Sequence, residues 1–216
     1  MSHTLTEILT QPLAWQSALR QAERILPDWR SILQDESTPL VFTGCGSTWY
    51  LAEIAAALFR RLTGRLTFAV PGGELLLYPQ DWLGERSAFP SKPALIAVSR
   101  SGATTETLRA VEAWRAEGGR VLAVTNYPDS PLPALADAAL VIPEGREESV
   151  AQTRSFASML VGLNALAVLL GEKNDLWNAM PRLPQAGERL IQHYQPLAQS
   201  LGEDLSLERF YFLGSG

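Results

Sequence analysis

The sequence is poor in several residue types that usually mark a function. Only one of its 216 residues is a cysteine, Cys45, so no disulfide can form within the chain, and a reducing cytoplasm is the expected setting. Two histidines occur, His3 and His193, too few for a histidine-held metal or a serine–histidine triad to be expected. The longest nearly unbroken apolar run, residues 156–170, falls short of the ~18 residues that a membrane span needs. Residues 1–11 are too polar for a signal peptide, so a soluble intracellular protein is expected. Basic residues are outnumbered, 18 against 23 acidic, giving a net charge of -5. Binding to a nucleic-acid backbone needs clustered Lys and Arg, and this balance argues against it. Charged residues are also sparse, 19% against 46% hydrophobic, which predicts a sizeable core and no general disorder.

What the chain does have is alternation. Short apolar runs at 40–43, 66–70, 94–98, 121–125 and 138–142 read as buried strands. Amphipathic segments follow several of them. Leu51, Ile54, Ala55, Leu58 and Leu62 share one helical stripe, and Leu108, Val111 and Trp114 another. Strands alternating with helices predict an α/β fold: a five-stranded parallel sheet in three α/β/α layers, with every strand's C-terminal end on one edge. Residues 4–34 carry a helical stripe through Trp15, Leu19, Ala22, Leu26, Trp29 and Leu33, with Pro12 suited to a first turn after Thr10. A short helical stretch is expected within 73–83, a polar loop over 84–93, and one helical turn at 132–136. Residues 156–170 predict a helix buried against the sheet, and 173–203 a helical region interrupted by Pro181, Pro184 and Pro196. The expected organisation is an N-terminal helical extension (1–36), the α/β domain (37–172) and a helical connector (173–206). The run Phe210-Tyr211-Phe212-Leu213-Gly214-Ser215-Gly216 repeats the pattern of Leu40-Val41-Phe42-Thr43-Gly44-Cys45-Gly46, so 207–216 reads as the first strand of a second such domain.

Two turns concentrate chemistry. After the third strand comes Ser99-Arg100-Ser101-Gly102-Ala103-Thr104, with three hydroxyls around one glycine at a helix start. A helix start offers unpaired N–H groups and the positive end of a dipole, so hydroxyls added there predict an anion site, and we expect the phosphate of a sugar phosphate. Taken singly, each hydroxyl would equally serve as a helix cap. After the first strand comes Gly44-Cys45-Gly46-Ser47-Thr48. A dinucleotide fingerprint would need a third glycine at position 49, which is Trp49, and no acidic residue ends the second strand at Val70. Cys45 has no histidine near it in sequence and reads as a small buried turn residue rather than a nucleophile. A third stretch, Glu147-Glu148-Ser149-Val150-Ala151-Gln152-Thr153-Arg154-Ser155, is either a solvated loop or a cover for a ligand at the same sheet edge.

Together these stretches resemble the sugar isomerase (SIS) domain family. The 99–104 turn is similar to its Ser-x-Ser-Gly-x-Thr phosphate loop, the 44–48 turn to its Gly-x-Gly-Thr/Ser-Ser turn, and 147–156 to its acidic segment containing Val-Ala-x-Thr-Lys/Arg. Glu7-Ile8, Gln11-Pro12, Ala14-Trp15 and Val70-Pro71 resemble the tagatose-6-phosphate ketose/aldose isomerases and related amino-sugar-phosphate deaminases within it. The resemblance implies a flavodoxin-like sheet, tandem domains, a homodimer and a hexose or amino-sugar 6-phosphate ligand, with no cofactor and no metal. It implies that Thr48, Ser99, Ser101 and Thr104 touch phosphate, with Arg100 lending its backbone. Ser47, Val150 and Gln152 would lie near the sugar, Gln152 standing where one branch of the family carries serine. Glu147 is carried over as a catalytic candidate. The family's ring-opening histidine and proton-shuttling glutamate and lysine come from a second domain. An isomerase, possibly deaminating, is therefore expected; the alternative is a non-catalytic sugar-phosphate sensor.

Overall fold

The alternation is realised as three layers in the computed structural model, which describes residues 2–80 and 92–213. Five strands, β1 (Leu40–Gly44), β2 (Thr67–Pro71), β3 (Ala94–Val98), β4 (Arg120–Thr125) and β5 (Ala138–Val141), pair in parallel in the order β2-β1-β3-β4-β5. β1 and β3 are buried along their whole length, as strands covered on both faces must be.

Because successive side chains point to opposite faces, each strand feeds two cores. Leu40 and Phe42, Ile96 and Val98, and Leu122 and Val124 enter the larger one, together with helices α2 (Gln11–Ile32), α3 (Ser47–Thr63) and α7 (Arg154–Leu170). Val41, Leu95, Ala97 and Val121 enter the smaller, covered by α4 (Gly72–Leu77), α5 (Thr105–Ala116) and α6 (Pro131–Leu135). The chain thus leaves β1 by a helix on one face and β3 by a helix on the other. These two strands are neighbours, and strand order reverses between them. Their C-terminal turns flank the crevice where ligands of open α/β sheets sit.

Local departures from the sequence expectation have identifiable causes. The helical stretch at 4–34 is two helices, α1 (His3–Leu9) and α2, which meet at Thr10, and Pro12 occupies the first turn of α2. Neither stands off as an appendage, since Ala18, Leu19, Ala22 and Trp29 of α2 belong to the larger core. β2 is shifted by one residue from the expected bounds. After α7 come α8 (Asn174–Ala179), a 3-10 turn (Met180–Arg182) and α9 (Leu183–Glu203). Pro181 and Pro184 lie in first turns, whereas Pro196 sits inside α9 without ending it. Residues 207–213 carry no regular structure and no strand beside them, with Phe212 and Leu213 exposed, while 214–216 lie outside the described residues. Most of the polar loop expected at 84–93 also lies outside them. No helix among the described residues is long and apolar enough to cross a membrane.

Candidate functional site

The turn after β1 is folded on itself by Thr48. Its hydroxyl accepts from the Cys45 N–H at 3.1 Å and donates to the Cys45 carbonyl at 2.9 Å, and the side chain is buried. Gly46, at φ 59°, delivers the chain into α3 with no capping side chain, and Ser47 stands exposed at that helix start. Cys45 Sγ lies 3.5 Å from the hydroxyl of Thr107 in the first turn of α5. That contact brings the two expected turns to one place.

The turn after β3 begins at Ser99, which is buried. The Ser99 hydroxyl accepts from the Gly102 N–H and meets the Thr104 hydroxyl, both at 3.1 Å. Ser101 Oγ accepts from the Ala103 N–H at 3.2 Å. Gly102 lies at φ 61°, and a Cβ there would overlap the Ser130 hydroxyl, so only glycine suits this bend. The Arg100 carbonyl is fixed by the Asn126 N–H at 3.2 Å and the Thr125 hydroxyl at 3.0 Å. Thr104 then starts α5 in an extended conformation with no side-chain cap, leaving the first-turn N–H groups facing the crevice edge. Ser101, Thr104 and Ser47 retain partial or full exposure, while Ser99 and Thr48 are shut in.

The third stretch lies over the same edge. Arg100 reaches across to it, its guanidinium donating to the Val150 carbonyl at 3.0 Å. Val150 itself is 93% exposed at the loop's apex. Glu147 is buried, and its carboxylate accepts from the Thr153 N–H and hydroxyl, each at 2.6 Å, from the Ser155 N–H at 3.2 Å and from the Ser155 hydroxyl. It therefore caps the N-terminus of α7. The Tyr127 hydroxyl donates to the Glu147 carbonyl at 2.7 Å, and Arg154 donates to the Arg146 carbonyl at 2.7 Å and the Thr10 hydroxyl at 2.9 Å. The Gln152 side-chain carbonyl is enclosed without a hydrogen-bond partner, close to this loop but not joined to Ser47.

Several participants carry no signal in the sequence. Tyr127 and Asn126 follow β4 at the same sheet edge, and the topology rule applied to β4 would have found them. Glu7 accepts from the Glu148 N–H at 2.7 Å, the Ser149 N–H at 3.3 Å and the Ser149 hydroxyl, across 141 residues of sequence. Burial pushes its carboxyl up, but hydrogen bonds from Ser149 and Glu148 and the charge of Arg154 hold it below the ordinary carboxylate range. No local pattern announces such a pairing. No group of three His, Cys, Asp or Glu side chains among the described residues is placed to hold a metal ion.

The arrangement offers N–H groups, hydroxyls and a helix dipole at the sheet edge, chemistry that suits a small oxyanion. Within the cover loop, the buried carboxylate is already spoken for. Apolar hollows occur elsewhere: one of about 600 Å³ lies among Leu58, Leu62, Val161 and Val168, on the helical layer rather than at the sheet edge.

A family model described as "SIS domain" matches residues 32–169, well over half of the chain. A glutamine–fructose-6-phosphate aminotransferase (isomerizing) of Thermococcus kodakarensis is 27% identical over 98% of the chain and 36% of its own length. The chain thus spans about a third of that relative. Glucosamine-6-phosphate deaminase of Thermotoga maritima superposes with a TM-score of 0.62 at 26% identity, over 85% of this chain and 54% of that one. Tagatose-6-phosphate ketose/aldose isomerase of Escherichia coli superposes with a TM-score of 0.68 at 23% identity, over 93% and 54%, a likeness of fold.

Proposed function

This chain belongs to the SIS domain family, and we propose on that footing that its β1–β3 crevice holds the 6-phosphate of a hexose, an amino sugar by preference, in a ketose/aldose isomerase. One observation carries the reading: the 99–104 turn bends at Gly102 into the uncapped start of α5 and meets the 44–48 turn through Cys45 and Thr107. Ser101, Thr104 and the first-turn N–H groups of α5 are the phosphate donors in this reading, with the Arg100 backbone beside them. Ser99 and Thr48, whose hydroxyls are tied into their own turns, hold the cradle in shape. Ser47, Val150 and Gln152 are the residues that this reading assigns to the sugar.

Aldose–ketose interconversion moves a proton between C1 and C2 through an enediol and needs a base there, with groups to stabilise the enediolate. Anchoring the distant phosphate fixes C1 and C2 in position. Glu147 serves this reading as a positioning residue, since its oxygens are engaged by α7. The acid and base are then supplied outside this crevice, as the resemblance implies. The assembly is taken as a homodimer in the cytoplasm, and sedimentation equilibrium at micromolar concentration reads that mass directly.

Replacing Ser101→Ala together with Thr104→Val is expected to weaken fructose 6-phosphate binding by roughly 2–5 kcal/mol, from about 1.5–3 for each charge-assisted bond. Titration calorimetry measures it, and an unchanged dissociation constant would remove the site. A sensor is the second reading, favoured by the use of Glu147 as a helix cap. Turnover of fructose or glucosamine 6-phosphate by the full-length protein, followed by NMR, separates the two.

A further inference from the structure

We propose that Glu7 is a positioning residue of the phosphosugar site. Its carboxylate sets the height of the 147–151 loop, and thereby the place where Val150 and Arg100 meet over the crevice; the inference rests on the function proposed above.

The loop carries no helix or strand; within it the Ser149 hydroxyl donates to the Ala151 carbonyl, and the Glu147 carboxylate ties its start to Thr153 and Ser155. Three side chains from elements remote in sequence hold its backbone as well. Arg100, from the turn after β3, takes the Val150 carbonyl at 3.0 Å. Tyr127, after β4, takes the Glu147 carbonyl at 2.7 Å. Glu7, from α1, takes the Glu148 and Ser149 N–H groups and the Ser149 hydroxyl. Arg100 holds a carbonyl, and Tyr127 holds the Glu147 carbonyl and, at 3.3 Å, the Glu147 N–H. Glu7 holds two successive N–H groups, and the residues it holds adjoin Val150.

A carboxylate is a costly choice for a merely structural contact. Glu7 is 3% exposed, and burying an ionised group is unfavourable unless hydrogen bonds replace its hydration. Here both oxygens are occupied by the loop's own donors, and the charge faces Arg154, which itself bonds the Thr10 hydroxyl at the α1–α2 junction. In the same helix, His3 Nδ1 lies 3.3 Å from the Glu148 carboxylate. With only seven residues, α1 is too short to persist by its own hydrogen bonds. The bond between Glu7 and the loop therefore orders both partners at once. If the carboxylate is lost, the Glu148 and Ser149 N–H groups lose their acceptor, and the loop must move outward to reach water. That movement draws the Val150 carbonyl away from Arg100.

The test uses the whole chain with Glu7→Ala and Glu7→Gln, following thermal unfolding, hydrogen exchange and titration with fructose 6-phosphate. In Glu7→Ala, exchange at residues 148–150 is expected to rise at least tenfold while β3 and α7 keep their protection, and affinity to fall five- to fifty-fold. Glu7→Gln, whose amide oxygen still accepts an N–H, is expected to recover part of both losses. Unchanged loop exchange, or unchanged affinity in a protein whose wild type binds, overturns the proposal. If wild type fails to bind fructose 6-phosphate, the functional reading falls and so does the role assigned to Glu7, while faster loop exchange would still show the anchor itself. Should Glu7→Ala not fold, Ser149→Ala replaces it: a selective rise in loop exchange with weaker binding supports the proposal, and no change overturns it.

Discussion

Glu147 ends on the first turn of α7, where four donor groups of Thr153 and Ser155 and the helix dipole all favour its charge. Truncation to alanine leaves those buried donors without an acceptor, so Glu147→Ala is expected to destabilise the fold by about 1–3 kcal/mol. Urea unfolding measures it, and Glu147→Gln should lose less. Glu7 makes a prediction of opposite reach, in pH. Although burial works against its charge, the bonds from Ser149 and Glu148 keep its carboxyl below the ordinary range. Folding therefore lowers its proton affinity, and the stability it contributes is complete above the unfolded carboxylate range. As pH falls through that range and below, Glu7 protonates and the contribution disappears. Comparing stability from pH 6 down to pH 3, wild type should lose more than Glu7→Gln. Parallel curves would contradict the assignment. At this scale the sequence was legible for Ser99, Ser101 and Thr104, because hydroxyls crowd around one glycine. It was silent on Glu7, because a carboxylate looks the same in sequence whether it faces water or a loop 141 residues away.

Among the elements, α7 was the easiest to read and is the most constrained. Its apolar run, interrupted by little more than Ser158 and Asn164, is legible as a helix with few solvent-facing positions. The packing supplies what the run alone lacks: Ser158 is buried and shared between Asn126 and the Ser155 carbonyl. Gly162 leaves room beside α7 for the side chains at the end of β5, where a Cβ would come within 2.8 Å of Leu140 and 3.1 Å of Ile142. Gly162→Val crowds the ends of the Leu140 and Ile142 side chains and is expected to cost about 1–3 kcal/mol, as overpacking does. Chemical denaturation reads the loss. Because Glu147 caps the same helix, hydrogen exchange in the cover loop should rise with it. The prolines show the limit of local reading. Pro181 and Pro184 coincide with helix starts, but Pro196 rides within α9, where exposure on most sides leaves room for a local adjustment.

For the molecule as a whole, the consequence of the proposed site is thermodynamic. A ligand that binds only the folded chain stabilises it by mass action, about 2.7 kcal/mol when present at one hundred times its dissociation constant. Fructose 6-phosphate should therefore raise the unfolding midpoint of the wild-type chain, whereas glucose without a phosphate at the same concentration should leave it in place. Equal shifts from both would mean that the phosphate is not what the crevice recognises.

What the sequence determined by itself was the alternation of strands and helices, the parallel sheet and the two hydroxyl-rich turns, because period, turn chemistry and helix starts are written within a few neighbouring residues. Only the tertiary structure decided that β1 and β3 lie side by side, that Cys45 touches Thr107, and that the Glu147 carboxylate caps α7. Only it could bring Glu7 to the cover loop. Those facts depend on which surfaces bury one another, and burial is a property of the assembled layers that no local stretch contains.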